Sequence, residues 1–112
     1  MTLHCEQVPY PRLAEEFGTP LYVYSQSALT EAFENYQTAF AALSPLVCYA
    51  VKANGNLSII KHFASLGSGF DIVSGGELAR VLAAGGDAAK TIFSGVGKSE
   101  AEIEFALHAG VK

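Results

Sequence analysis

The chain has 112 residues, of which 50% are hydrophobic and 16% are charged, so it can bury a modest core and is not a disordered protein. Its formal net charge is −4 and its seven Lys and Arg residues form no basic cluster, which argues against nucleic acid or an anionic membrane as a partner. Two cysteines, no secretory signal pattern and no stretch long enough to cross a bilayer favour a cytoplasmic protein with free thiols.

Residues 1–44 are predicted to form an N-terminal segment with a short helix, a strand and an amphipathic helix. Pro11 suits the first turn of the short helix, and Gly18 can end it. The run Leu21–Tyr24 is apolar and aromatic and predicts a strand. Ser25 or Ser27 can cap the second helix. Six apolar residues then follow the spacing of one buried helical stripe, namely Leu29, Ala32, Phe33, Tyr36, Phe40 and Leu43.

Strands and helices alternate over residues 45–112, which predicts an α/β fold with right-handed crossovers and a parallel sheet. The predicted strands are Leu46–Lys52, Phe70–Ser74 and Thr91–Ser94, with another starting at Val111, and the predicted helices are Leu57–Leu66, Glu77–Ala84 and Glu100–Ala109. The helices carry capping boxes at Ser74 with Glu77 and at Ser99 with Glu102, and they end at Gly67, Gly85 and Gly110. A (β/α)8 barrel takes about 250 residues, so three complete βα units indicate the N-terminal part of a larger protein.

Lys52 ends the apolar run of the first of these strands. A lysine that loses hydration at the rim of an apolar sheet is less stable as the ammonium ion, and its free amine can attack a carbonyl to form a Schiff base. The alternative is that Lys52 only marks where the strand emerges into water. Because side chains alternate along a strand, Lys52 shares a face with Ala50 and Cys48. In a barrel this face points inward, and the small Ala50 leaves space for a flat ligand.

Asp71 falls on the inward face of the next predicted strand, while Phe70 and Ile72 face the helices. Its carboxylate is therefore expected to look across at Lys52. The alternative is a residue near a strand start that accepts hydrogen bonds from local backbone amides. Between this strand and its helix, Gly75-Gly76 is interpreted as a tight turn rather than a phosphate-binding loop.

Four segments carry a resemblance to a known family: Phe17–Tyr24, Tyr49-Ala50-Val51-Lys52-Ala53-Asn54, Gly69–Leu78 and Phe93–Ser99. Together they resemble the diaminopimelate decarboxylases. These are pyridoxal-phosphate enzymes with an alanine-racemase-like barrel, in one group with the ornithine and arginine decarboxylases. The resemblance implies a partial (β/α)8 barrel of that type, truncated after about three βα units. The stretch Gly95–Ser99 is what favours the diaminopimelate branch.

The resemblance also implies a cofactor, pyridoxal 5'-phosphate. It implies that Lys52 binds the cofactor covalently and acts in proton transfer, and that Ala50 and Asp71 belong to the cofactor-binding site. Glu77 matches another acidic position near the cofactor, although it can equally serve as the capping partner of Ser74. No metal site is expected.

For the longer protein, the resemblance implies decarboxylation of meso-2,6-diaminopimelate to L-lysine and carbon dioxide, with a small amino acid as substrate and a homodimer as the assembly. The remaining site residues of the family lie downstream of Lys112, so the 112 residues alone are expected to be inactive. Two alternatives stay open. One is a related decarboxylase of ornithine or arginine, and the other is a non-catalytic homologue that keeps the barrel.

Overall fold

The first unit of the chain begins with a short hairpin. In a computed structural model that describes residues 1–112, the chain divides into two units, Met1–Asn35 and Tyr36–Lys112. In the first unit, β1 (His4–Cys5) pairs antiparallel with β2 (Val8–Pro9). The two-residue strands are too short to show an alternating pattern, so the sequence did not predict them.

Two helices follow the hairpin, as predicted. The first, α1 (Tyr10–Phe17), ends at Gly18, which has a φ of 79° and donates its amide to the carbonyl of Ala14 at 2.9 Å. The second, α2 (Gln26–Ala39), starts at Ser25, whose hydroxyl accepts the amide of Ala28 at 3.1 Å. Of the two serines that the sequence offered as caps, Ser25 is therefore the one that caps the helix.

Glu6, in the hairpin turn, binds the start of α2. One carboxylate oxygen accepts the amide of Ser27 at 2.8 Å and the hydroxyls of Ser25 and Ser27 at 2.9 and 3.0 Å. The amide of Ser27 and the two hydroxyls hold the pKa of Glu6 below its usual range. The ionised carboxylate thus fastens the hairpin to the first turn of α2.

Two predictions for this part of the chain are wrong. Leu21–Tyr24 forms no strand and its four side chains are exposed, because no other segment of the chain supplies the backbone partner that a strand needs. The six-residue apolar stripe is not buried either. Only Phe33 is buried, at 5% exposure, and the helix ends at Ala39, followed by a 3-10 turn over Ala41–Leu43.

The second unit is built on three parallel strands, which confirms the predicted α/β fold and parallel sheet. The strands are β3 (Cys48–Ala50), β4 (Gly69–Ile72) and β5 (Thr91–Phe93), in that order across the sheet. The helices that alternate with them are α3 (Leu57–Ser65), α4 (Gly75–Ala83) and α5 (Glu100–Ala109). The predicted ends of these elements differ from the observed ends by about two residues at most.

Glycines end all three helices, as predicted: Gly67, Gly85 and Gly110 have φ values of 84°, 83° and 83°. The strand predicted at Val111 is not formed within the chain. The amide of Lys112 nevertheless donates to the carbonyl of Thr91 at 3.2 Å.

One face of the sheet packs on the helices and forms the core. Phe70 and Ile72 of β4 are fully buried together with Ile60 of α3 and with Leu78 and Val81 of α4. Burial of each such side chain stabilises the fold by about 1.5–3 kcal/mol. No helix of the chain is both long and apolar enough to cross a membrane.

Gly69 is needed where β4 lies between its two neighbours. A Cβ atom at this position would stand 2.5 Å from the carbonyl oxygen of Lys90 and 2.7 Å from the Sγ of Cys48. The carbonyl is backbone and cannot rotate away. We therefore expect Gly69→Ala to force the strands apart and lower the free energy of unfolding by about 1–3 kcal/mol.

Gly97→Ala is the matched control, because a Cβ atom at Gly97 meets no atom within 4 Å. Urea titration measures both variants. Equal midpoints for the two variants would contradict the close approach at Gly69.

Candidate active site

Lys52 lies just beyond the end of β3, in a 3-10 turn formed by Val51–Ala53. The predicted strand Leu46–Lys52 is therefore too long, since the strand ends at Ala50. Val51 is buried at 1% exposure, whereas Lys52 is exposed. The expectation that the sheet removes Lys52 from water is wrong, because the turn carries this side chain out of the strand. The exposure agrees with the alternative that Lys52 marks the emergence of the strand into water.

A series of hydrogen bonds fixes the turn that carries Lys52. The hydroxyl of Tyr49 donates to the carbonyl oxygen of Asn54 at 2.9 Å, and the Tyr49 ring stacks on Phe63 of α3 at 4.4 Å. Asn54 accepts the amide of Asn56 at 3.0 Å, and Asn56 in turn caps α3. The backbone around Lys52 is therefore held between β3 and α3, and the amine is presented at the carboxyl end of the sheet.

The opposite face of the sheet carries no helix. Tyr49 stacks on α3, so its neighbours Cys48 and Ala50 face the other way. The strand register sets Ala50 beside Asp71 and Asp71 beside Ile92 on this helix-free face. The sequence predicted these positions of Cys48, Ala50 and Asp71, and the register confirms them. Ile92 is 47% exposed, so the face is open.

The carboxylate of Asp71 is held by a serine that directly follows the neighbouring strand β5. Its Oδ1 accepts the hydroxyl of Ser94 at 2.6 Å. The hydrogen-bond partner of Asp71 is thus Ser94 and not a local backbone amide, so that alternative is wrong. The expectation that the carboxylate looks across at Lys52 stays a prediction. Sequence reasoning missed Ser94. The signal was its position, two residues after Ile92, where the amide bond of Ser94 to the carbonyl of Ile72 continues the pairing one residue beyond β5.

Cys48 lies on the same face and stays uncharged. Burial raises the pKa of the Cys48 thiol, and the negative charge of Asp71 raises it further. The thiol is therefore protonated at neutral pH and weakly nucleophilic. The exposed amine of Lys52, in the turn that follows β3, is a group that can attack a carbonyl compound.

Glu102 ties together the two loops at the carboxyl ends of β4 and β5. Its Oε1 accepts the amide of Gly75 at 2.8 Å, and its Oε2 accepts the amide and the hydroxyl of Ser99 at 3.0 and 2.9 Å. The predicted capping box of Ser99 with Glu102 is confirmed. Because Gly75 opens α4, a carboxylate already occupies this helix start, which supports the interpretation of Gly75-Gly76 as a turn and not a phosphate loop.

The other predicted capping box is only half right. The hydroxyl of Ser74 accepts the amide of Glu77 at 3.2 Å, as predicted. The carboxylate of Glu77, however, accepts the amide of Val73 at 2.7 Å instead of the amide of Ser74. Since Glu77 serves the backbone of its own loop, nothing in this geometry supports its placement at the cofactor.

The family is decided by comparison with known proteins. Residues 26–112 match the family model described as "Pyridoxal-dependent decarboxylase, pyridoxal binding domain". The chain belongs to this family. The match confirms the resemblance found in the sequence and covers every element of the parallel sheet.

Within this family the chain is similar to diaminopimelate decarboxylases. One from Neisseria meningitidis serogroup B is 96% identical over 112 residues, covering 100% of this chain and 27% of the relative. One from Vibrio cholerae is 54% identical over 110 residues, covering 98% of this chain and 26% of the relative. This chain therefore spans about a quarter of the length of the curated relatives it matches.

Solved structures agree. The diaminopimelate decarboxylase from Helicobacter pylori complexed with L-lysine superposes with a TM-score of 0.87 at 47% identity, over 91% of this chain and 26% of that one. The enzyme from M. jannaschii has a TM-score of 0.94 at 35% identity, over 98% of this chain and 27% of that one. Lys52, Ala50 and Asp71 thus lie in a pyridoxal-binding domain.

The bridge made by Glu102 generates a pH-dependent prediction. The amide of Gly75 and the amide and hydroxyl of Ser99 hold the pKa of Glu102 below its ordinary value of 4.5. A carboxylate with a lowered pKa in the folded state stabilises the fold above its unfolded pKa, and the contribution is lost as the pH falls through the folded pKa. Glu102→Gln turns an amide group toward a backbone donor, so we expect it to destabilise the longer protein at neutral pH.

The deficit of the Glu102→Gln variant relative to the wild type should shrink as the pH falls below 4.5, because protonation removes the same charge from the wild type. Urea titrations at several pH values measure this difference. Glu104→Gln, an exposed position on the same helix, is the control. A deficit that does not change with pH would argue against the ionised bridge.

Proposed function

We propose that the longer protein containing this chain decarboxylates meso-2,6-diaminopimelate to L-lysine and carbon dioxide. The observation that carries the proposal is the 96% identity with a diaminopimelate decarboxylase across all 112 residues. Related diaminopimelate decarboxylases have been solved in complex with L-lysine, the proposed product. A small amino acid is accordingly the expected substrate.

The residues of the helix-free face fit pyridoxal 5'-phosphate as the cofactor. Lys52 supplies an exposed primary amine at the carboxyl end of β3, and an aldehyde reacts with such an amine. Ala50 has a small side chain on the open face, where a flat ring needs space. Asp71 adds a carboxylate beside it. When bound, pyridoxal phosphate supplies the electron sink for loss of carbon dioxide from the substrate.

The three residues have different proposed roles. Lys52 holds the cofactor covalently through its Nζ and moves a proton at that atom. Ala50 leaves room for the ring, and Asp71 provides a fixed negative charge. Because the turn leaves Lys52 exposed, its loss of hydration must come from the cofactor and from downstream residues.

We propose that residues 45–112 form the first βα units of a (β/α)8 barrel of the alanine-racemase type, preceded by the N-terminal segment 1–44. The bond from the Lys112 amide to the Thr91 carbonyl supports a further strand beside β5. The relatives are roughly four times as long as this chain, which leaves sufficient length for the rest of a barrel. A cytoplasmic homodimer is the proposed assembly, and Cys5 and Cys48 are free thiols in keeping with a reducing compartment.

Lys52→Ala tests the covalent role of Lys52. Borohydride fixes an aldehyde cofactor irreversibly to the amine that carries it, so peptide mass spectrometry of the reduced longer protein should find the adduct on Lys52. We expect the variant to carry no adduct and to lose at least about a thousandfold in turnover, because it lacks the nucleophile.

Lys61→Ala is the control for Lys52→Ala, since Lys61 is also an exposed lysine but lies on α3. It should keep both the adduct and the activity. Labelling that persists in the Lys52→Ala variant would mean that another amine carries the cofactor.

Substrate choice is tested by supplying the longer protein with meso-2,6-diaminopimelate, ornithine or arginine and measuring release of carbon dioxide. We expect turnover of diaminopimelate only. Preference for ornithine or arginine would favour the related decarboxylases, and cofactor binding without turnover of any of them would favour a non-catalytic homologue. Residues 1–112 alone should show no turnover, because the chain spans 27% of its relative.

A further inference from the structure

We propose that Ser94 is a positioning residue that orients the carboxylate of Asp71 toward pyridoxal phosphate. The inference rests on the proposed function, because it assumes that Asp71 contacts the cofactor. It concerns a residue just past the end of β5, which acts on the cofactor only through Asp71.

The backbone of Ser94 is fixed by its pairing with β4. Its backbone amide donates to the carbonyl of Ile72 at 2.9 Å, which continues the pairing of β5 with β4. Its hydroxyl lies 2.6 Å from Oδ1 of Asp71 and 3.4 Å from the carbonyl oxygen of Ile72. A hydroxyl has one hydrogen to donate, and the shorter distance assigns it to Asp71.

The bond restricts how Asp71 can turn. The terminal torsion of an aspartate side chain is broad and has no single preferred value, so a partner is needed to fix the plane of the carboxylate. Ser94 engages Oδ1, which leaves Oδ2 to receive a donor from a ligand on the helix-free face. Hydrogen bonds to charged groups are among the stronger ones in proteins.

The neighbours of Asp71 on this face cannot replace Ser94. Ala50 and Ile92, its partners in the strand register, carry no polar side-chain atom. Cys48 keeps its proton, because burial and the charge of Asp71 raise the pKa of its thiol, but a thiol is a weak donor. The hydroxyl of Ser94 is therefore the group that sets the direction of the carboxylate.

Variants of Ser94 can distinguish a purely structural role of its hydroxyl from the positioning of Asp71. The backbone bond between Ser94 and Ile72 does not depend on the side chain, so Ser94→Ala keeps the pairing of β4 with β5. What the variant loses is the bond to Asp71. Ser94→Thr retains the hydroxyl.

The test is a double-mutant cycle on the longer protein. The apoprotein is reconstituted with pyridoxal phosphate, and the dissociation constant is read from the absorbance of the bound cofactor. We expect Ser94→Ala to weaken binding on the order of tenfold and Ser94→Thr to restore most of the loss. Asp71→Ala should weaken binding at least as much, and the double variant should match Asp71→Ala alone, because Ser94 acts only through Asp71.

Ser65→Ala is the matched control. It removes an exposed hydroxyl that donates to the carbonyl of His62 on α3, the helix on which the opposite face of the sheet packs, and it should leave the dissociation constant unchanged. If Ser94→Ala does not yield folded protein, Ser94→Cys, which has a weaker donor of similar size, is judged by the same criterion.

The outcomes separate the two proposals. A wild-type protein that binds no pyridoxal phosphate overturns the proposed function and the role of Ser94 with it. A wild type that binds normally, together with a Ser94→Ala variant of equal affinity, overturns only the positioning role. Losses that multiply in the double variant also overturn it, because they would mean that Ser94 and Asp71 act independently.

Discussion

The second unit depends on the burial of one face of its sheet against the helices. Phe70 and Ile72 are fully buried among side chains of α3 and α4. Because side chains alternate along a strand, the residue between them must point to the opposite face of the sheet. Asp71 must then face away from the helices, beside Ala50. A shift of one residue in register would bury this carboxylate in the core and expose both apolar side chains. Burial of the hydrophobic face therefore determines that the Asp71 carboxylate lies on the helix-free face, where a ligand can reach it.

Alternation along the strands was sufficient to predict this arrangement. It placed Ala50, Cys48 and Asp71 on one face from the sequence alone, and the helix ends followed from glycines and capping serines. It failed at Lys52, because the rule holds only within a strand and β3 ends two residues earlier. No local pattern shows the hydrogen bond from Tyr49 to Asn54 that shapes the turn.

The other failures concern partners rather than patterns. Leu21–Tyr24 has the composition of a strand, but the chain offers it no neighbouring strand. The apolar stripe of α2 has the right spacing, yet Tyr36 and Phe40 are 63% and 48% exposed. Spacing shows which side chains share a face and cannot show what covers that face. The bond from Ser94 to Asp71 joins residues that are 23 positions apart in the sequence, so no local sequence pattern predicts it.

The bridge made by Glu102 has a mechanical consequence. One carboxylate holds the first amide of α4 and the capping residue of α5 at the same time. Neither connection can be displaced alone without breaking a bond to a charged oxygen. A rearrangement at this rim that keeps both bonds must therefore move the starts of α4 and α5 together.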